Sequence, residues 1–143
     1  MTTTLTRTVL RKTIYLRASK TEVWAYLTDP DKLGEWLHKP KTALVKGAKL
    51  EMFGAESGDL ILWGEVREAR PCDYLEYTFG AKPMGDTLSL VKWTLEEVAG
   101  GTQLSLMHEG LPQGAEAFGV TLAFDAGWDK HFSRLRAAFS WEE

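Results

Sequence analysis

The chain has little cysteine, no long apolar run and no excess of positive charge. Cys72 is the one cysteine, which excludes an internal disulfide and fits a reducing compartment. Seventeen basic residues against twenty acidic ones give a net charge of -3, which argues against nucleic acid as a partner, because phosphate binding needs a concentrated basic face. No apolar stretch approaches the roughly 20 residues of a membrane span, and the N-terminal residues lack a signal-peptide core. We therefore expect a cytoplasmic protein without a membrane span.

Motifs for metals, phosphates and nucleophilic catalysis are also missing. His38, His108, His131 and Cys72 are widely spaced, with neither the i,i+4 nor the CxxC spacing of a metal site. No phosphate loop, dinucleotide-binding glycine pattern or nucleophile elbow occurs. We therefore expect no metal, no cofactor and no catalytic residue that spacing alone would identify. The sequence favours a binding protein over an enzyme and leaves both open.

Aromatic side chains and one long amphipathic segment are what the chain does have. Its six tryptophans indicate a wide apolar interior or a cavity lined with rings. From Gly114 to Phe139, apolar residues recur at spacings of three and four, with one gap of six that Asp125 splits evenly, which predicts a long helix with one apolar face. The predicted face consists of Phe118, Leu122, Trp128, Phe132, Leu135 and Phe139, with Asp125 inside it. Such a helix needs a large concave partner to bury its face.

The preceding residues predict one sheet and two short helices. A first strand, Val9–Arg17, leads to a capping box at Ser19–Glu22 and a helix at Lys20–Thr28. Asp29 and Pro30 begin a second short helix. Six more strands are predicted at Thr42–Val45, Lys49–Phe53, Asp59–Ala69, Tyr74–Gly80, Thr87–Glu97 and Gln103–Glu109, with loops at His38–Lys41 and Ala81–Asp86. The order β-α-α-β6-α predicts an α+β fold of one domain, residues 1–143, in which a curved antiparallel seven-stranded sheet wraps the C-terminal helix around an internal cavity.

Several short motifs, taken in order, resemble a known family. They are Thr21–Trp24 with Leu27–Pro30, Glu35–Leu37 with Pro40, Gly64–Val66 with Arg70 and Pro71, Gly101–Leu104 with His108 and Gly110, and Gly127 with Trp128. In this order they resemble the activator of heat shock protein 90 ATPase homologue family, within the START-like (SRPBCC) helix-grip superfamily that includes the birch-pollen allergens. The resemblance implies the helix-grip fold and a link to stress response. It leaves function open, because the family includes co-chaperone domains, small-molecule binders and a few enzymes.

The candidate ligand site is the space between the sheet and the long helix. Seven large side chains are predicted to line it: Trp36, Tyr77, Phe79, Trp93, Phe118, Leu122 and Trp128. His108 and Asp125 are its predicted polar groups, and its entrance is expected beside the second short helix and the two loops. The alternative for the rings is plain core packing. For His108 the alternative is a buried histidine paired with a polar neighbour, and for Asp125 it is an edge residue that reaches water.

Three functional hypotheses follow. The first is binding of a small hydrophobic molecule in the cavity. The second is a cyclase or dehydratase acting on such a molecule, with His108 as general acid or base and Asp125 orienting it. The third is an interaction module that stimulates a chaperone ATPase, as the resemblance suggests. Either a monomer or a dimer is compatible with all three.

Overall fold

Local capping signals set the two short helices. In the computed structural model, which describes residues 8–54, 57–112 and 114–139, helix α1 spans Lys20–Thr28. The Ser19 hydroxyl accepts the Glu22 N–H at 3.2 Å, and the Glu22 carboxylate accepts the Ser19 N–H at 3.3 Å, so the predicted capping box is confirmed. Asp29 then caps helix α2, Pro30–Trp36, by accepting the Lys32 N–H at 3.2 Å. The ends of the predicted domain, 1–7 and 140–143, lie outside the described residues.

Seven strands form one antiparallel sheet, as predicted. They are β1 Leu10–Leu16, β2 Lys39–Pro40, β3 Lys49–Phe53, β4 Leu60–Arg70, β5 Tyr74–Ala81, β6 Ser89–Val98 and β7 Gly101–Glu109. Their order across the sheet is β1-β7-β6-β5-β4-β3-β2. Strands β2 to β7 therefore form a meander, and its last strand, β7, pairs with β1 at the edge of the sheet. Register shifts in β3 and β4 mark irregularities that bend a strand, and the sheet curls around the C-terminal helix.

One predicted strand is wrong. Residues 42–45 do not form a strand, and the short β2 lies instead at Lys39–Pro40, inside the predicted His38–Lys41 loop, where Lys39 pairs with Phe53. Leu44 is buried, and its N–H donates to the carbonyl of Thr28 at 3.0 Å. The apolar residue that indicated a strand therefore packs against the end of α1, whose terminal carbonyl it satisfies.

The long helix α3 spans Phe118–Ala138 and follows a 3-10 turn at Ala115–Ala117, so it starts one turn later than predicted. Its buried residues are Thr121, Trp128, Phe132 and Leu135. Phe118 and Leu122 are 52% and 55% exposed, so their predicted inward position is wrong. The centre of the buried face passes through Thr121 and Trp128. Because successive residues turn by about 100°, Leu122 lies nearly a third of a turn from that centre, and Phe118 lies on the same side.

Asp125 lies on that outer side of α3, next to the edge strand β1. The Lys12 ammonium, which projects from the inner face of β1, lies 2.7 Å from the Asp125 carboxylate and 2.8 Å from the Asp129 carboxylate. The Asp125 side chain is half exposed. The edge-residue alternative therefore describes Asp125, and its predicted position as a polar group of the interior is wrong.

In the described part of the chain, no helix is long and apolar enough to cross a membrane.

Candidate functional site

Rings fill the deep space between the sheet and α3. The Trp93 ring makes edge-on contacts with Trp36, Trp128 and Phe132 at centroid distances of 5.9, 5.5 and 5.9 Å. Trp36, Tyr77 and Trp93 are each 1% exposed, and the Tyr77 hydroxyl accepts the Trp93 indole N–H at 3.0 Å. These three side chains form packed core, as the alternative held, and they do not border the open space described next.

A cavity of about 210 Å³ remains at one end of this interior. Its floor is made of four buried side chains, Leu37, Leu62, Phe79 and Trp128. Its rim is partly or fully exposed and consists of His38, Pro83, Ala123, Phe124, Gly127 and His131. The floor is therefore closed and the rim opens to solvent. The opening lies beside the end of α2 and the loop that carries Pro83, at the place where the sequence predicts the entrance.

Three larger concavities in the described part of the surface have charged borders. One of about 440 Å³ lies between β1 and α3 and is bordered by Lys12, Asp129 and Arg136. Another, of about 590 Å³, lies beside the β6–β7 turn and is bordered by Arg17 and Lys20 among others. The one on the outer face of the sheet, of about 440 Å³, is bordered by Arg11 and Lys92. Sites for small molecules are mostly apolar, with few polar groups. The smaller cavity, which has no Lys, Arg, Asp or Glu among its lining residues, is therefore the better candidate.

His108 lies behind the floor of the cavity, and every polar atom of its ring has a partner. Its Nδ1 accepts the Trp128 indole N–H at 3.0 Å. An indole only donates, so the neutral His108 ring carries its proton on Nε2, which donates to the Ser89 hydroxyl at 2.7 Å. That hydroxyl in turn donates to the carbonyl of Phe79 at 2.9 Å. His108 therefore fits the alternative interpretation of the sequence, a buried histidine paired with polar neighbours. Burial lowers the pKa of His108 to about 4, which keeps the ring neutral.

A second histidine, His131, borders the cavity itself. Its Nδ1 lies 3.1 Å from the backbone carbonyl of Trp36, and its ring meets that of His38 edge-on at a centroid distance of 5.5 Å. Burial, with His38 and Arg134 nearby, lowers the pKa of His131 to about 4. Burial also lowers the pKa of His38, and Arg134 adds to the effect. The rim therefore presents two neutral imidazoles at neutral pH.

Of the nine predicted site residues, the structure brings only Phe79 and Trp128 to the surface of the cavity. Sequence reasoning missed most of the lining, including Leu37, Leu62, Phe124, Gly127 and His131. Helical spacing could have identified His131, since it follows Trp128 by three residues. Nothing local marks Leu62 or Pro83, which reach the cavity from a distant strand and loop.

A comparison with protein families matches residues 17–140 to the model described as Activator of Hsp90 ATPase homolog 1-like protein. The chain belongs to this family. The match covers both short helices, the whole meander and α3, so the resemblance that the sequence motifs indicated is confirmed. No curated protein matches the chain.

Solved structures support the fold of this Activator of Hsp90 ATPase homolog 1-like chain. Protein MLL2253 from Mesorhizobium loti is 24% identical, with a TM-score of 0.78 over 91% of this chain and 95% of that one. The Aha1 dimer from Colwellia psychrerythraea is 18% identical, with a TM-score of 0.77 over 92% and 96%. DynU16, from the dynemicin biosynthetic locus, is 25% identical, with a TM-score of 0.75 over 90% of this chain but 46% of that one. These likenesses establish the helix-grip fold.

Proposed function

We propose that this family member binds a compact apolar molecule in the cavity at the open end of its helix grip. The closed floor of buried carbon beneath an exposed rim is the observation that carries the proposal. The volume of about 210 Å³ lies below the roughly 300 Å³ at which pockets for drug-sized ligands begin. An apolar cavity of about 150 Å³ in another protein binds benzene. The expected ligand therefore has one or two rings and is smaller than a sterol.

The chemistry of the lining supports an uncharged ligand. The floor presents Phe79 and Trp128 with two leucines, and the polar side chains at the rim are the rings of His38 and His131. A charged ligand would lose its hydration on the floor without meeting an opposite charge, which is costly. An apolar ligand would instead exchange water for carbon contacts, at about 25 cal/mol for each Å² of surface buried.

The two alternative functions have less support. A cyclase or dehydratase that used His108 would need a free ring nitrogen, but Trp128 and Ser89 occupy both, and Asp125 is bound to Lys12. Among the described residues, no three His, Cys, Asp or Glu side chains group as a metal site.

The hypothesis that the protein stimulates a chaperone ATPase is supported by its family membership alone. The described outer face of the sheet carries polar side chains such as Arg11, Lys92 and Thr94, whereas a continuous apolar docking patch would favour chaperone stimulation.

Two glycines of α3 offer a matched test of the cavity. A Cβ added at Gly127 or at Gly119 meets nothing within 4 Å, but only Gly127 borders the cavity. We expect Gly127→Leu to occupy the cavity and weaken the binding of toluene or naphthalene at least about tenfold, the effect of about 1.4 kcal/mol. Gly119→Leu should bind either probe as the wild type does. Calorimetry, with the Trp128 indole N–H resonance as a local reporter, measures both.

The opposite outcome is equally specific. If no one-ring or two-ring aromatic probe binds the wild type, or if both leucine variants bind equally well, the cavity is not a ligand site. A melting temperature that rises with probe concentration in the wild type and in Gly119→Leu, but not in Gly127→Leu, is the expected companion result.

A further inference from the structure

The tautomer of His131 is determined by the end of helix α2. Trp36 is the last residue of α2, so its carbonyl has no partner within the helix. A carbonyl only accepts, so the His131 Nδ1 that lies 3.1 Å from it carries the proton and donates. The carbonyl is held in place, because the Trp36 ring is buried and its indole N–H donates to the carbonyl of Tyr26 at 2.8 Å. In the neutral His131 ring, Nε2 therefore carries no proton.

The surroundings of His131 keep the ring neutral. The charged or titratable groups that act on it are His38, Arg134 and Lys130, all of which disfavour a further positive charge. Its pKa of about 4 follows mainly from burial. Near neutral pH the second nitrogen is thus an acceptor with a lone pair, on a side chain that borders a cavity whose other walls are largely carbon.

We propose, resting on the proposed function, that the ligand is an aromatic molecule with a hydroxyl group, and that His131 Nε2 accepts its hydrogen bond at the rim. A phenol fits both parts of the cavity. Its ring would pack against Phe79, Phe124 and Trp128. The Phe79 ring already meets that of Phe124 edge-on and that of Trp128 at a tilt. Its hydroxyl would donate to the nitrogen. A carboxylate has no proton to donate and would place its lone pairs against that of Nε2.

Matched one-ring ligands test this assignment. We expect wild-type protein to bind 4-methylphenol about three- to tenfold more tightly than 4-methylanisole, since one net hydrogen bond contributes roughly 0.5–1.5 kcal/mol. Toluene should bind like the anisole, and 4-methylbenzoate more weakly than any of them. In His131→Phe, which keeps a ring at the rim and removes the acceptor, the preference for the phenol over the anisole should fall to about one.

A direct reporter in the wild type makes the test independent of how well the variant folds. Nitrogen-15 spectra should show His131 protonated on Nδ1, and addition of 4-methylphenol should shift the Nε2 resonance while 4-methylanisole leaves it in place. Toluene binding without a preference for the phenol, or an unmoved Nε2 resonance, would overturn the donor assignment and leave the cavity proposal intact. Absence of binding by all four probes would overturn both.

Discussion

His108 joins three strands and a helix through one chain of hydrogen bonds. The chain runs from the Trp128 indole on α3 through the His108 ring on β7 to the Ser89 hydroxyl on β6, and ends at the carbonyl of Phe79 on β5. Each of these groups lies in the core, where an unpaired donor or acceptor costs more than a bond contributes. We interpret His108 as a residue that holds the sheet in register against α3.

Ser89→Ala tests this role. The change removes the partner of the His108 Nε2–H and the donor to the carbonyl of Phe79, so we expect it to lower the free energy of unfolding by about 1–3 kcal/mol. Urea unfolding measures the loss. Ser105→Ala is the matched control, because Ser105 lies on the outer face of β7 and bonds only at the surface, to Thr13. It should cost less than about 0.5 kcal/mol. Equal costs for the two changes would contradict the interpretation.

At the scale of elements, Lys12 connects the edge strand β1 to two successive turns of α3. Burial works against its charge, but the hydrogen bonds with Asp125 and Asp129 outweigh burial and raise the pKa of Lys12. The Lys12 side chain is mostly covered, whereas the two carboxylates are half or more exposed. The strand at the edge of the sheet thus contacts the helix through a charged group.

Lys12→Met should remove this connection and keep the aliphatic stem. We expect a loss of about 1 kcal/mol in the free energy of unfolding at about 0.1 M salt, and a smaller loss at about 1 M, because salt screens the exposed carboxylates. Lys46→Met is the control, since the Lys46 ammonium lies 4.0 Å from Glu68 in a more exposed pair. Urea unfolding at both salt concentrations measures the two variants. A Lys12→Met cost that salt does not reduce would indicate packing as its cause.

At the scale of the whole molecule, all three histidines have a lower pKa in the folded chain than the ordinary value of 6.5. Burial is the largest cause in each case. Between pH 6.5 and about 4, the unfolded chain therefore binds protons that the folded chain does not bind. Stability that is fully present above pH 6.5 is lost as the pH falls through this window.

We expect the urea midpoint to fall steadily from about pH 7 to about pH 5. The fully buried His108 alone should contribute a loss of about 1–2 kcal/mol over this range. Urea unfolding as a function of pH measures the total, and the proton spectrum of the folded protein follows each imidazole. A folded-state His108 that titrates near pH 6.5, or a midpoint that rises as the pH falls to about 5, would contradict the account.

Much of the fold was predictable because local signals carried it. The capping box at Ser19, the cap and proline at Asp29 and Pro30, and the alternation along β5 to β7 each depend on residues close together in the chain. Two short helices followed by a meander and a long helix then leave few ways to bury the apolar faces. The strand wrongly predicted at 42–45 shows the limit of local signals. Leu44 is an apolar residue that packs at the end of helix α1 and does not belong to a strand of the sheet.

The candidate site was far less predictable. Periodicity predicts that α3 has an apolar face, but a rotation by about a third of a turn separates buried Trp128 from exposed Leu122, and only the docked sheet determines which of the two is inside. The packing of the sheet against α3 also places Asp125 in an ion pair with Lys12 and His131 beside the end of α2. Which rings fill space and which border it depends on the volumes of side chains that meet from separate strands.

The order of the elements, their caps and the family can be predicted from the amino-acid sequence alone, because neighbouring residues encode them. Three properties of the site appear only in the folded chain. Three of the predicted lining rings are packed core, a cavity remains beside Trp128, and His108 is fully bonded while the His131 ring at the rim keeps an unprotonated nitrogen. Those properties depend on distances between residues far apart in the chain, and such distances exist only once the sheet has closed around the helix.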